Sequence, residues 1–326
     1  MNLLIISPGR RVDIVEFFKK EFHGNNGYVY TLDMSAYAAA LYCGDKYFVV
    51  KKNFDDLESY IKDIIKICRE NNISYVLTLV DPELELLAKY KDLFIKEKIY
   101  PIVSSYEEVK FTFDKYLFYK TVKDKLPVLP TYIDFEAVKK ALDSNIISFP
   151  LFTKPKNGSG SAGISKIENI AQLELYKNIK DFIFQPYAKN KEFGVDVYFD
   201  MISHKIVNFF IKEKLAMRSG ETDKAISVKN GEIEKIIMKL EKFNFYGPID
   251  VDIFEDDDHK YYINEINPRF GGGYPHAYNC GVNFMKYIMN NLLGKSNTPE
   301  LGSYKTDIIM MKYNGLCFKS KNELAK

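Results

Sequence analysis

Two short segments in the second half of the chain carry oxygen ligands at strand spacing. Residues 247–254 read Gly-Pro-Ile-Asp-Val-Asp-Ile-Phe, and residues 261–270 read Tyr-Tyr-Ile-Asn-Glu-Ile-Asn-Pro-Arg-Phe. Side chains alternate along a strand, so Glu265 and Asn267 share one face of theirs, and Asp250 and Asp252 share one face of the preceding strand. Two strands joined by a short acidic turn therefore aim carboxylate and amide oxygens into one region. Such oxygens suit Mg²⁺, which takes one or two protein carboxylates and draws its other ligands from phosphates and water; Asp252, Glu265 and Asn267 meet that need. Asp256, Asp257 and Asp258 read instead as the solvated tip of the hairpin. Asn267, Pro268 and Arg269 end the second strand and run into Gly271, Gly272 and Gly273, where bare backbone allows close approach.

A second segment supplies cations and backbone donors. A strand over residues 151–154 delivers Lys154, and Gly158, Ser159, Gly160, Ser161 and Gly163 follow in a small-residue loop whose N–H groups and hydroxyls can close over phosphate oxygens. The lysine precedes the glycines and the Walker A spacing is absent, so this is not a P-loop. Taken alone, such a loop is more often a flexible hairpin connection. Its weight comes from company: Lys115 and Lys154 for phosphate, a loop to cover it and three oxygen ligands for a metal. Arginine occurs at only five positions, 10, 11, 69, 218 and 269, among 46 basic residues. Where lysine is the default cation, an arginine marks a need for the planar fork that grips carboxylate or phosphate.

These residues must be held by particular elements. Strand-like runs at residues 2–6, 28–32, 47–50 and 75–79 alternate with helical patterns at 12–20 and 55–70, which predicts a parallel α/β sheet over roughly the first hundred residues. Ligands of such sheets sit beyond the carboxyl ends of the strands, which places residues 7–11, 33–35 and 78–83 at one crevice. Arg10, Arg11 and Asp33 are its candidate substrate residues, although Arg10 and Arg11 also read as solvated charges at a helix start. Residues 104–125 read as one helix. Beyond it, strands at 151–154, 182–185, 193–199, 206–211, 249–254 and 261–266 follow one another, which predicts largely antiparallel sheets. A last helix covers 283–293, and the tail beyond residue 294 has no assignment.

Composition removes other classes. Acidic side chains number 44 against 46 basic, and no basic stretch interleaves aromatics, so a nucleic-acid binder lacks its electrostatic signal. Apolar runs fall far short of a membrane span, and Arg10, Arg11 and Asp13 interrupt any signal-peptide core, so a cytosolic location is expected. Cys43, Cys68, Cys280 and Cys317 lie far apart with no C-x-x-C spacing and read as reduced thiols.

The stretch from Asn264 to Arg269 with Asp252 upstream, joined to the Lys154 loop, resembles the ATP-grasp superfamily. The likeness is greatest to ligases related to the carbamoyl-phosphate synthase large subunit, biotin carboxylase and the pyrrolysine-biosynthesis ligase. The resemblance covers nearly the whole chain. It implies a pre-ATP-grasp α/β domain over 1–104, a linker helix and small ATP-grasp subdomain over 105–186, and a C-terminal subdomain with the metal ligands over 187–326. It implies that Lys115 and Lys154 contact ATP phosphates and that the Gly158 to Gly163 loop covers them. It also implies that Gln185, Pro186 and Tyr187 form the adenine hinge and that Glu192 takes the ribose hydroxyls. Mg²⁺, with Mn²⁺ as the alternative, would sit on Asp252, Glu265 and Asn267. Arg269 would steady the acyl phosphate and the tetrahedral intermediate, and Arg218, by a weaker match, lies in a loop that would approach the phosphates or the acceptor substrate, while Gly272 and Tyr274 would line the acceptor pocket.

The activity implied is an ADP-forming ligation of a small-molecule carboxylate to an amine or amino acid through an acyl phosphate. The partners are small molecules, with neither nucleic acid nor membrane, and a homodimer is admitted. A small-molecule phosphotransferase and a non-catalytic nucleotide-binding regulator share the same nucleotide half and stay open at this point.

Overall fold

The computed structural model describes residues 1–158, 163–187 and 190–324. Its first unit alternates strand and helix: β1 (Asn2–Ile6), α1 (Val12–His23), β2 (Tyr28–Asp33), β3 (Lys46–Val49), α2 (Leu57–Glu70), β4 (Tyr75–Thr78), α3 (Asp81–Lys89), α4 (Lys91–Lys96) and β5 (Tyr100–Pro101). The strands form one parallel sheet of order β3-β2-β1-β4-β5. Alternation decides what covers each face. Leu3, Ile5, Val29 and Leu77 pack with α1, and Leu4, Ile6, Leu32 and Val76 pack with α2 and α3. The order reverses between β1 and β4, so the loops after these two strands open onto the crevice expected of a doubly wound sheet.

Residues 104–125 are not one helix. Asp114 has extended backbone (φ −95°, ψ 109°) and separates α5 (Tyr106–Phe113) from α6 (Lys115–Val122). Its carboxylate accepts from the Tyr116 and Leu117 amides at 2.9 and 3.0 Å, satisfying two N–H groups that a helix start leaves unpaired. The break makes Lys115 the first residue of a helix rather than a mid-helix side chain.

After α7 (Phe135–Asp143), a three-stranded antiparallel sheet of order β7-β6-β8 is built from β6 (Leu151–Pro155), β7 (Ser165–Ile167) and β8 (Phe182–Pro186), with α8 (Ile170–Glu174) between the last two. The main sheet has six strands: β9 (Lys191–Phe199), β10 (Ile206–Arg218), β11 (Glu221–Ser227), β12 (Gly247–Glu255), β13 (Tyr261–Asn267) and β14 (Ile309–Met311). Their order is β13-β12-β9-β10-β11-β14 and every pairing is antiparallel. Helix α9 (Gly231–Met238) lies between β11 and β12 in the chain; α10 (Tyr274–Asn279) and α11 (Phe284–Leu292) follow β13. The strand at residue 206 runs to Arg218, well beyond the expected end at 211, and the unassigned tail supplies β14 as an edge strand. Among the described residues no helix is long and apolar enough to cross a membrane.

The main sheet is two-faced. Phe193, Val195, Val197, Ile211, Ile249, Val251, Ile253, Ile263 and Ile266 bury one face against α5, α6 and α9. The intervening positions are mostly polar: Glu192, Asp196, Lys212, Lys214, Asp250, Asp252, Glu265 and Asn267. At one end of this second face Tyr198 and Phe210 join Phe270, Tyr274 and α11 in the core that also holds α1, which ties the main sheet to the first unit.

Because Asp114 supplies both amide acceptors of the α6 start, Asp114→Ala is expected to lower stability by about 1 kcal/mol in urea unfolding. An unchanged transition midpoint would contradict the capping role.

Candidate functional site

The register of the main sheet brings carboxylates directly opposite one another. Asp196 faces Asp250 between β9 and β12, and Asp252 faces Glu265 between β12 and β13. Like charges so placed repel, and the chain answers with cations from three directions. Lys212 is ion-paired with Asp196, both almost fully buried. Lys214 Nζ donates to Asp252 Oδ1 at 2.6 Å and to Glu192 Oε1 at 2.9 Å. Arg269 donates through Nε and Nη2 to the two oxygens of Asp81 at 2.8 and 3.2 Å, and through Nη1 to Asp250 Oδ2 at 3.3 Å. Burial alone would lower the pKa of Arg269, but Asp81 and Asp250 outweigh it and hold the guanidinium charged.

Glu265 is treated differently. It accepts from Asn267 Nδ2 at 3.1 Å, and among the described residues no cation lies within ion-pair distance of it. Asp252 is pushed up to about 7 by burial and by the charges of Asp250, Glu265 and Glu192, against the opposing pull of Lys214. Two opposed carboxylates, of which Asp252 shares Lys214 with Glu192 and Glu265 has no cation partner among the described residues, stand beside an amide oxygen, and oxygens of this kind are what a hard divalent ion prefers. Among the described residues no group of three or more His, Cys, Asp and Glu side chains could hold a metal on its own. Two carboxylates and one amide oxygen could supply at most part of a shell, the rest coming from phosphates and water.

The small sheet reaches this face through Lys154, whose Nζ donates to Asn264 Oδ1 at 2.7 Å. Asn264 can receive it because β13 carries a bulge: Asp252 pairs with Glu265 but Ile253 pairs with Ile263, leaving Asn264 as the extra residue. The bulge resets the alternation, so Ile263 and Ile266 are both buried although three positions apart. Burial lowers the Lys154 pKa to about 8, with Glu265 pulling it back up and Lys115 adding to the fall. Lys115 Nζ donates to the Gly158 carbonyl at 2.7 Å, which brings the second lysine to the start of the glycine loop. Gly158 and Gly163 have φ of 114° and 71°, a region that side chains disfavour. Ser159, Gly160 and Ser161 lie outside the described residues. One cleft is lined by Asp81, Lys115, Gly158, Glu265, Asn267 and Pro268, so α3, the α6 start and β13 share a cavity. A larger open depression between α2 and α4 contains none of these residues.

The loop after β1 closes the cluster from the other side. Arg11 Nη2 donates to the Gly271 carbonyl at 2.5 Å, and Arg10 Nη2 to Glu221 Oε1 at 3.0 Å. Burial, with the charge of Arg269 adding to it, lowers Arg11 to about 10. The three glycines are needed for approach: a Cβ on Gly271 would lie 2.6 Å from Asp250 Cγ, on Gly272 3.3 Å from Glu221 Cγ, and on Gly273 2.7 Å from Lys212 Cε.

Other candidates stand elsewhere. Tyr274 is fully buried, donates to the Val282 carbonyl and accepts the Phe284 amide, so the expectation that it lines an acceptor pocket is corrected: it is a core residue. Arg218 is exposed at the tip of the β10–β11 hairpin, and its side chain has no hydrogen bond or ion pair among the described residues. Asp33 accepts from the Gly9 and Ser35 amides at 3.1 and 3.0 Å, which fixes the two crevice loops to each other. Gln185 turns its amide to Thr131 Oγ1 at 2.9 Å, Pro186 ends β8, and the Tyr187 amide donates to the Pro150 carbonyl at 3.1 Å. Lys212, Lys214 and Gly194 are members that sequence reasoning missed, while Asp81 lies in the expected crevice and Asn264 in the Asn264–Arg269 stretch, both without a role assigned from the sequence. The two lysines repeat the two-residue spacing of the carboxylates, a signal lost because the strand was read only to residue 211. A Cβ at Gly194 would meet the Cε atoms of Lys212 and Lys214 at 3.1 and 3.2 Å, so this glycine makes room for both stems.

Two family models match the chain: a PylC-like N-terminal domain over residues 3–102 and an ATP-grasp domain over residues 112–273. Among curated proteins, the alpha-aminoadipate–LysW ligase LysX of Saccharolobus solfataricus is 21% identical over 189 residues, 53% of this chain and 68% of the relative. Among solved structures, the biotin carboxylase–beta-gamma-ATP complex from Campylobacter jejuni superposes with a TM-score of 0.75 at 16% identity, covering 94% of this chain and 74% of that one. The L-amino acid ligase from Bacillus licheniformis gives 0.68 at 18% identity, covering 91% and 75%.

With its pKa near 8, Lys154 is substantially neutral at pH 8.5. A polyphosphate beside it favours the charged form, so binding must take up a proton. Calorimetry of ADP binding at pH 8.5 in buffers of different ionisation enthalpy is expected to show net uptake, and Lys154→Arg, charged throughout, should abolish it. Absence of uptake in the unmodified protein would contradict the placement of Lys154 at phosphate.

Proposed function

We propose, from the premise that the chain carries a PylC-like N-terminal domain and an ATP-grasp domain, that it joins a small-molecule carboxylate to an amine through an acyl phosphate, releasing ADP and phosphate. The observation that carries the reading is the reach of Lys154 from the small sheet to Asn264, next to the Asp252–Glu265 pair, while Lys115 lines the same cleft as Glu265. A triphosphate between the sheets would meet Lys115 and Lys154 on one side and the carboxylate face on the other. The Gly158 to Gly163 loop would cover it, β8 and Tyr187 would flank the base, and Glu192 would take the ribose hydroxyls. The three-part division at residues 104 and 186 follows from these roles.

Asp252, Glu265 and Asn267 are the residues that would hold Mg²⁺ or Mn²⁺, whose contribution is to neutralise the phosphates being separated. The substrate carboxylate oxygen attacks the γ-phosphorus, the bond to the ADP oxygen breaks, and the mixed anhydride forms. The amine nitrogen then attacks the carbonyl carbon, phosphate departs with the anhydride oxygen, and the amide nitrogen gives up its proton. Arg269, clamped by Asp81 and Asp250, is a rigid fork for oxyanion charge on the acyl phosphate and the tetrahedral intermediate, since a preorganised donor stabilises charge without reorganising as it develops. Arg10 and Arg11, at the carboxyl end of β1 and beside Gly272, suit the anionic part of the substrate. Covering the site excludes water, which would hydrolyse the anhydride. A cytoplasmic place of action, where ATP and Mg²⁺ are supplied, belongs to the same reading.

Turnover of Mg²⁺-ATP against a panel of carboxylic acids, with and without an amine pool, tests the proposal. ADP formation that requires both acid and amine and yields a condensed product is expected. A stable phosphorylated product with no need of amine would replace the ligase by a phosphotransferase, and AMP would contradict the anhydride. Glu265→Ala should abolish turnover while thermal unfolding stays cooperative. Arg269→Ala should still bind ADP but lower kcat by about 10²- to 10³-fold, the scale for removal of one oxyanion donor. Turnover like that of the unmodified protein in Glu265→Ala would overturn the metal assignment.

A further inference from the structure

We propose that Lys214 is an internal cation that holds Asp252 and Glu192 together until a nucleotide arrives, so that the divalent ion loads with the nucleotide and not before it. The inference rests on the metal reading of Asp252, Glu265 and Asn267 given above. Its starting point is the division of labour among the cations of the polar face. Lys212 serves Asp196, and Arg269 serves Asp250 and Asp81. Among the described residues Lys214 is the cation ion-paired with Asp252, the carboxylate read as a metal ligand, and its second acceptor is Glu192, the carboxylate read as the ribose contact. A single ammonium thus occupies both ends of the nucleotide's polar path.

The arrangement is built into the sheet. The Lys214 side chain is only 5% exposed, and its stem lies over Gly194, the one position on β9 that leaves room for it. An ammonium bridging two buried carboxylates offsets repulsion that would otherwise act among Glu192, Asp250, Asp252 and Glu265. A free divalent ion meets this charge when it approaches Asp252, and it offers Glu192 nothing in exchange. A nucleotide with its metal offers both at once: hydroxyls to Glu192, a doubly charged ion to Asp252, and phosphate oxygens to the displaced ammonium. Nucleotide and metal are thereby coupled, and linkage requires each to strengthen the binding of the other.

The probe is Mn²⁺, with free ion measured by electron paramagnetic resonance in the presence and absence of ADP, and ADP without protein as the baseline. The unmodified protein is expected to bind Mn²⁺ weakly alone and more tightly with ADP. Lys214→Met should tighten ADP-free Mn²⁺ binding by roughly tenfold or more, the scale of removing one unit charge at close range in a protein, and should shrink the gain from ADP. Lys214→Gln, which keeps a polar head, is expected to act in the same direction and serves if thermal melts show that the methionine variant is unfolded. Unchanged ADP-free affinity in a folded Lys214 variant would overturn the inference while the metal reading stands, provided that ADP-dependent Mn²⁺ binding is still lost in Glu265→Gln. ADP-dependent binding that is indifferent to Glu265→Gln would overturn the metal reading and this inference together.

Discussion

Antiparallel register sets two pairs of carboxylates opposite each other on one face of the main sheet, Asp196 with Asp250 and Asp252 with Glu265. Much of the remaining architecture supplies the charge this requires. Buried ions are costly unless paired, so each cation that arrives also fastens the element that carries it. Lys212 and Lys214 fasten β10. Arg269 reaches Asp81 at the start of α3 and so binds the first unit to the end of β13. Lys154 comes from the small sheet, but its hydrogen bond goes to Asn264, and Glu265 is left with an amide donor. Glu265, the carboxylate of these two pairs without a cation among the described residues, lies where a metal and a polyphosphate would complete the balance.

The fold was legible where alternation was regular. Short apolar runs broken by amphipathic helices announced the parallel sheet, and the spacing of Asp250 with Asp252 and of Glu265 with Asn267 placed them on shared faces before any coordinates. What escaped were features that depend on partners distant in sequence. The bulge at Asn264 cannot be read from a pattern of period two, because it exists only through the register with β12. The break at Asp114 was hidden by apolar residues on both sides that continue a helical pattern. Tyr274 looked like a site residue because it follows the glycines, yet its hydroxyl is needed to satisfy the Val282 carbonyl and the Phe284 amide inside the core. Arg218 carried a rarity signal but ends a hairpin whose length the sequence did not disclose.

The glycines at 271–273 show how backbone economy serves the site. A methyl group at Gly271 or Gly273 would strike Asp250 or Lys212, and one at Gly272 would press on Glu221. Removing side chains there lets the ionic network close tightly and lets Arg11, from the loop after β1, reach the Gly271 carbonyl. The loop after β1 thereby meets the polar face of the main sheet, bringing Arg11 to the glycine run while Lys154 reaches the same face from the small sheet. On the proposed reading that adjacency would serve phosphoryl transfer from nucleotide to carboxylate, since both must be bound before an anhydride can form and be captured.

The most direct test of the account is a crystal structure with ADP and Mn²⁺, using the anomalous signal of the metal to locate it without reference to the protein model. The account predicts a peak among Asp252, Glu265, Asn267 and the ADP phosphates, with Lys115 and Lys154 on phosphate oxygens and the nucleotide lying between the small and main sheets. A nucleotide bound elsewhere, or a metal peak away from Glu265, would contradict it.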